Sequence, residues 1–369
     1  MSADLVQRWI RPQIRELRAY HVPDASGLIK LDAMENPHAL PAELVEPWLQ
    51  TLRGAELNRY PDPQAAALKA RLRETQDVPA GSELLLGNGS DELIQLLALA
   101  VAGPGRSLLT VEPGFAMYRL IARFCGLDYH GVSLREDFTL DLPALLAAIE
   151  RQQPALVFLA YPNNPTGNLF ERAAVERIIQ ASPGLVVIDE AYHAFAEDSW
   201  LARVSEYPNL VVMRTLSKMG LAGLRLGFMV AAPAWVAEFD KLRLPYNINV
   251  LTQLSAEFAL RHGDVFQRQT AAIRDQRSRL FEALQAIPGI QPYPSRANFI
   301  LFRLSAGGAD EVFEALREAG ILIKNLHGAG GLLRDCLRVT VGTQEENAAF
   351  VQALKSIMTG RDLARAGGL

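Results

Sequence analysis

The chain has 369 residues, 49% hydrophobic and 21% charged, a composition typical of a soluble globular protein and a length that favours two domains over one simple core. A net charge of −4 argues against a nucleic-acid binder, and no apolar run reaches the roughly 20 residues that cross a bilayer. Cys125 and Cys336 stand outside any Cys-x-x-Cys spacing and no His-Glu-x-x-His motif occurs, so neither a disulfide framework nor a zinc site is indicated. Residues 1–17 are amphipathic and charged, without the apolar centre of a secretion signal, which implies a cytoplasmic protein.

In chain order, the arm through Lys30 carries Pro12 and Pro23, predicting a short helix and then an extended connection. Leu31-Asp-Ala-Met-Glu-Asn-Pro37 is not a long helix, because Pro37 pushes Asn36 towards extended geometry. Asn58-Arg-Tyr-Pro-Asp-Pro63 is an exposed loop able to meet a ligand or a second subunit, and an Ala- and Leu-rich helix follows over 64–76. From Glu83 onward, short apolar runs alternate with amphipathic stretches, the signature of a mainly parallel sheet with crossover helices. Strands are predicted over 84–86, 107–111, 155–160, 185–188, 210–213 and 226–230. Helices are predicted over 91–101, 117–124, 142–151, 171–180 and 234–241. Long helices follow over 250–261 and 265–286, then an α+β segment with strands at 298–302 and 337–341, helices at 310–318 and 345–358, and a frayed tail after Gly360. The fold class is therefore α/β, with a mainly parallel central sheet flanked by helices and a smaller α+β domain. The large domain is placed at 31–247, and the small one at 248–369 together with the arm, 1–30.

In open α/β sheets, ligands bind beyond the carboxyl ends of the strands, so chemistry is sought just after each run. Gly87-Asn-Gly-Ser-Asp-Glu92 joins a strand to a helix through small residues whose amides suit a phosphate or a plain capping turn equally. It is no Walker A loop, and Glu92 at the third glycine position spoils a dinucleotide fingerprint. Phe115 follows the next strand, placed either to cover a planar ring or to fill core under a helix start. Asn164, in Tyr161-Pro-Asn-Asn-Pro-Thr-Gly167, can donate to a phenolate oxygen or serve a turn alone. Asp189 ends a β-branched run, so it should be buried and in need of a positive partner, and Tyr192 lies three residues on. Lys218 follows another apolar run among small residues, where desolvation lowers an amine's pKa and frees it to form an imine. Around it, Thr215, Ser217 and Arg225 can meet a phosphate, the arginine as a bidentate fork. Each residue has an ordinary structural alternative. Taken together, a phosphate cradle, a ring cover, an O3′ donor, a pyridinium partner and an imine-forming amine match pyridoxal 5′-phosphate (PLP).

At these residues the chain resembles the fold-type I PLP-dependent aminotransferases of class II, and within them the histidinol-phosphate aminotransferase subfamily. The resemblance covers nearly the whole chain, from Leu31-Asp-Ala-Met-Glu-Asn-Pro37 and Tyr60-Pro-Asp-Pro63 through Asn163-Asn-Pro-Thr-Gly167, Asp189-Glu-Ala-Tyr192 and Ser217-Lys-Met-Gly-Leu-Ala-Gly-Leu-Arg225 to Leu337-Arg-Val-Thr-Val-Gly-Thr343. It implies a homodimer with each active site at the subunit interface. Lys218 is then the imine lysine, Asp189 pairs with the pyridinium, and Asn164 and Tyr192 bind O3′. Gly89, Ser90, Asp91, Ser217 and Arg225 hold the 5′-phosphate, and Phe115 stacks on the ring. Arg338 is implied to grip the substrate's anionic end, Tyr60 to reach over from the neighbouring subunit, and Tyr20 to close over the site.

Departures from the family pattern are Met34 where many relatives have Asn, Phe115 where Tyr is frequent, and Lys324 where some have Arg. A lysine there meets the substrate phosphate as a point charge without a fork. The reaction implied is reversible amino transfer between L-glutamate and imidazole-acetol phosphate, giving 2-oxoglutarate and histidinol phosphate, a step of L-histidine biosynthesis. The alternatives are an aromatic or other amino-acid aminotransferase and a threonine-phosphate decarboxylase. No nucleic acid, membrane or metal is expected as a partner.

Overall fold

The computed structural model describes residues 2–19 and 22–366. After the short strand Ile29–Lys30 (β1), the main sheet is built from Glu83–Asn88 (β2), Ser107–Glu112 (β3), Asp128–Ser133 (β4), Leu156–Ala160 (β5), Leu185–Asp189 (β6), Leu210–Thr215 (β7) and Leu226–Ala231 (β8). These form a seven-stranded sheet in the order β2-β8-β7-β6-β5-β3-β4. Pairings among β3 to β7 are parallel, whereas β8 runs antiparallel to both β2 and β7.

The central strands are buried along their whole length because helices cover both faces, which is why they read as unbroken Val, Ile and Leu runs. Side chains alternate between two cores. Val157, Val186, Val212 and Phe228 pack on one face, and Phe158, Val187, Val211 and Met229 on the other. β4 was not expected. Its sequence, Asp-Tyr-His-Gly-Val-Ser, has no apolar run, and it becomes a strand by pairing with β3 at the sheet's edge.

The smaller unit carries Ile290–Pro292 (β9), Phe299–Leu304 (β10), Ile321–Leu322 (β11), Lys324–Asn325 (β12) and Cys336–Thr340 (β13). β12, β13, β10 and β9 form an antiparallel sheet, and β11 pairs in parallel with β1. Phe299, Phe302 and Val339 pack there with Leu316 of the helix Ala309–Glu318 and Phe350 of the helix Gln344–Ala366.

Several expectations change. The helix Gln344–Ala366 continues through the tail expected to fray, with Arg361 donating to the carbonyls of Gly307 at 3.0 Å and Gly308 at 2.8 Å. A helix at Ala42–Arg53 went unpredicted, with Pro47 inside it. The arm divides between the units: Arg11 donates to the Phe124 carbonyl of the large unit, while β1 joins the small one. Leu31 and Met34 pack in the small unit's core, and Ile248, Ala256 and Leu260 in the large unit's. We therefore propose that the domain break falls after the helix Val250–Arg261 and not near Asn247.

Candidate active site

The parallel strands β3, β5, β6 and β7 end at one edge of the sheet. Because β8 is antiparallel to them, its beginning lies at that edge, and so does the end of β2. A cleft of about 580 Å³, open to solvent, is lined there by Ser90, Asp91, Phe115, Asn164, Asp189, Tyr192, Ser217, Lys218 and Arg225, each singled out above. Met34, Ala160, Ala191 and Thr215 complete the lining.

Part of the site has groups that suit an anion. Gly89, at φ 79°, leads into the helix Ser90–Val101, whose first N–H groups have no partner within the helix. The positive φ of Gly89 is one that L side chains rarely adopt, and a Cβ on Gly227 would lie only 2.7 Å from the Gly89 carbonyl carbon, so the turn favours glycine at both places. Arg225 Nη2 is 3.7 Å from Asp91 Oδ2. Thr215 Oγ1 donates to Ser217 Oγ at 2.9 Å, turning the loop so that Ser217 lines the same cleft.

Asp189 is buried at the close of β6, its Oδ2 accepting from the Tyr118 hydroxyl at 2.7 Å and its Oδ1 from the Ala191 N–H at 3.1 Å. Burial pushes its carboxyl up to about 6, against the lowering effect of those two donors. Lys218 lines the same cleft and is pushed down to about 8 by burial and then by the nearby Arg338 guanidinium. Its Nζ donates to the Ala33 carbonyl at 3.0 Å.

The small unit is joined to this lining through Arg338 and Asn164. Arg338, on β13, donates from Nη2 to the Asp32 carbonyl at 3.1 Å, and its guanidinium carbon lies 5.1 Å from the centre of the Phe299 ring. Asn164 donates from Nδ2 to the Tyr192 hydroxyl at 3.1 Å. Met34 has φ 54°, and both its backbone groups are bound: N–H to Thr340 Oγ1 and C=O by Asn298 Nδ2, each at 3.0 Å. Asn36 ties the same strap to the Met219 carbonyl, next to Lys218, at 2.9 Å.

Not every expected residue reaches the cleft. Tyr60 is 80% exposed and stacked on Tyr246 at 4.4 Å. Gly89, Arg338 and Lys324, which lies opposite Arg338 in the β12–β13 pairing, do not line the cleft; Arg338 is joined to its lining through Asn164. Tyr20 lies outside the described residues. Tyr118 was missed as a site residue; the available signal was its position three residues after Phe115, one helical turn on.

This donor set fits PLP. A buried carboxylate suits a pyridinium, a desolvated amine suits an aldehyde, and a glycine-lined helix start with an arginine suits a phosphate. Fold and cleft together define a PLP-dependent transferase of fold type I. Residues 26–354 match the family model for aminotransferase class I and II, and the chain belongs to that family. It is 59% identical to histidinol-phosphate aminotransferase 2 of Nitrosococcus oceani, over 96% of this chain and 99% of that protein. It is 55% identical to histidinol-phosphate aminotransferase of Chromobacterium violaceum, over 95% and 98%. The crystal structure of histidinol-phosphate aminotransferase from Sinorhizobium meliloti in complex with pyridoxal-5′-phosphate superposes with a TM-score of 0.85 at 27% identity, covering 95% of this chain and 98% of that one.

Proposed function

We propose that this enzyme is a histidinol-phosphate aminotransferase, moving an amino group reversibly between L-glutamate and imidazole-acetol phosphate with PLP as cofactor. The activity named for the two relatives at 59% and 55% identity supports that substrate. The observation that carries the chemistry is the presence of Asp189 and Lys218 in one cleft, with an anion cradle formed by Gly89, Ser90 and Arg225.

When bound, PLP supplies an electron-withdrawing ring that stabilises negative charge at the substrate's reacting carbon. Gly89, Ser90, Asp91, Ser217 and Arg225 would hold its 5′-phosphate, Phe115 would cover the ring, and Asn164 and Tyr192 would hold O3′. Asp189 would pair with the ring nitrogen and favour its protonated form. Lys218 would hold the cofactor through Nζ, and the same amine would serve as the general base that takes the proton from the substrate carbon. Arg338 holds the substrate's anion, which is a carboxylate in glutamate and a phosphate in histidinol phosphate.

Lys324, beside Arg338 in the sheet, is the further cation we assign to the substrate phosphate. The exposure of Tyr60 supports a homodimer in which it reaches a neighbouring subunit's site, with Tyr20 on the arm that closes over the substrate. Among the described residues no helix is long and apolar enough to cross a membrane, and we place the enzyme in the cytoplasm.

The test is a coupled assay with 2-oxoglutarate as acceptor, comparing histidinol phosphate, phenylalanine, tyrosine and threonine phosphate. Histidinol phosphate is expected to give the highest kcat/KM. A preference for an aromatic amino acid, or CO2 release from threonine phosphate, would replace this reading by one of the two alternatives.

A further inference from the structure

Tyr118 lies behind the cleft, 1% exposed, on the helix Ala116–Cys125 that starts just after Phe115. Its ring stacks on Phe158, centroids 4.7 Å apart and planes 23° from parallel, and meets Phe115 edge to face at 5.4 Å. The phenol is therefore clamped between a core ring and a ring that lines the cleft. From there its hydroxyl reaches Asp189 Oδ2 at 2.7 Å, while the Ala191 N–H occupies Oδ1. Both carboxylate oxygens thus receive a donor from a rigid part of the protein, which sets the orientation of the group as well as its charge.

Burial raises the proton affinity of Asp189, and the negative charges of Asp91 and Glu190 raise it further. The Tyr118 hydroxyl and the Ala191 N–H work against that rise. Burial and the Asp189 charge hold the Tyr118 phenol far above its ordinary pKa, so it remains a donor.

We propose that Tyr118 is a positioning residue for amino transfer: by donating to Asp189 Oδ2 it keeps that carboxylate ionised and aimed, so that the proton between Asp189 and the PLP ring nitrogen stays on nitrogen. The inference rests on the PLP-dependent reading above. Without the hydroxyl, the proton moves towards Asp189, the ring withdraws electrons less strongly, and the proton-abstraction step slows while substrate binding is spared.

The test is Tyr118→Phe, which keeps the ring and its stacking and deletes only the hydroxyl. Wild type and variant are loaded with PLP carrying 15N in the ring, and the nitrogen chemical shift is recorded by NMR with kcat and KM measured alongside. The wild type is expected to show a protonated nitrogen, and the variant a displacement towards the neutral pyridine position. A shift worth one pKa unit corresponds to about a tenfold fall in kcat, with KM within about twofold. On an Asp189→Asn background the same change should leave kcat unaltered, because the group it acts through is gone.

A melting temperature that falls while the nitrogen shift and kcat stay put would make Tyr118 a packing residue and overturn the proposal. A further loss of kcat on the Asp189→Asn background would overturn it as well. Wild-type protein that takes up no PLP would remove the parent reading and this one together, whereas a loaded wild type beside an unchanged variant removes this one alone.

Discussion

Arg338 Nη1 donates to Asn164 Oδ1 at 2.5 Å, joining β13 of the small sheet to the loop that follows β5 of the large one. The guanidinium is thereby held against Asn164, a residue of the cleft lining, before any substrate arrives, which is preorganisation for an anion. Arg338→Ala is expected to lower kcat/KM for glutamate and for histidinol phosphate alike, by about 100-fold, or roughly 2 to 3 kcal/mol for a lost charge-assisted contact. Steady-state kinetics with each donor decides it, since a loss confined to one substrate is incompatible with a shared anion site.

Lys218 has a pKa of about 8 in the folded protein against 10.5 for an ordinary lysine, so its neutral, nucleophilic form accumulates as pH rises through about 8. Covalent uptake of PLP by the ligand-free enzyme, followed by stopped-flow absorbance, should accelerate up to about that pH and then level off. A rate still climbing towards pH 10 would show an unperturbed amine. The linked stability effect has a definite sign. Below about 8 the lysine is charged in both states and its burial cost is present in full; between about 8 and 10.5 the unfolded chain binds more protons, so stability rises with pH. Lys218→Ala should abolish both turnover and the visible band of the tethered cofactor.

Gly227 is where β8 passes the Gly89–Ser90 turn that we propose holds the phosphate. A methyl group there would stand 2.7 Å from the Gly89 carbonyl carbon and 2.8 Å from the Ser90 nitrogen, both backbone atoms that cannot step aside cheaply. Gly227→Ala is expected to cost about 1 to 3 kcal/mol of stability and to weaken PLP binding at least tenfold. Cofactor titration monitored by fluorescence, with thermal melting alongside, checks both; tight binding with a displaced melting temperature would mean that the cradle tolerates the shift.

Glu190 and Arg214 form an ion pair at 2.9 Å, with side chains 0% and 8% exposed. Ser199 Oγ lies 2.9 Å from both Glu190 oxygens and 2.8 Å from Arg214 Nη2, so the pair fixes the loop carrying Tyr192 to β7. Glu190→Leu strands the guanidinium in the interior and should cost about 3 to 5 kcal/mol in urea unfolding. Disruption of the more exposed Arg203–Glu176 pair by Glu176→Ala should cost far less. Equal losses would show that burial is not what sets the value of the Glu190–Arg214 pair.

The apolar runs that became β2, β3, β5, β6, β7 and β8 were legible in the sequence because a strand covered on both faces must be apolar throughout, and the residues following most of them were legible as ligand positions for the same topological reason. Lys218, Asp189, Asn164 and Ser90 could be named at that level, since each stands at the end of its own run. Tertiary structure alone decided the rest. Nothing in Leu-Gly-Phe-Met-Val-Ala says that β8 runs antiparallel, yet that direction brings Arg225, which precedes the strand, to the common edge. β4 is a strand only because β3 offers it a ladder, and local pattern carries no trace of a distant pairing partner. The Tyr118–Asp189 bond spans 71 residues and the Lys218–Ala33 bond spans 185. Such contacts follow from how the sheets and helices are stacked in space, whereas periodicity in a sequence reports only which face of each element is buried.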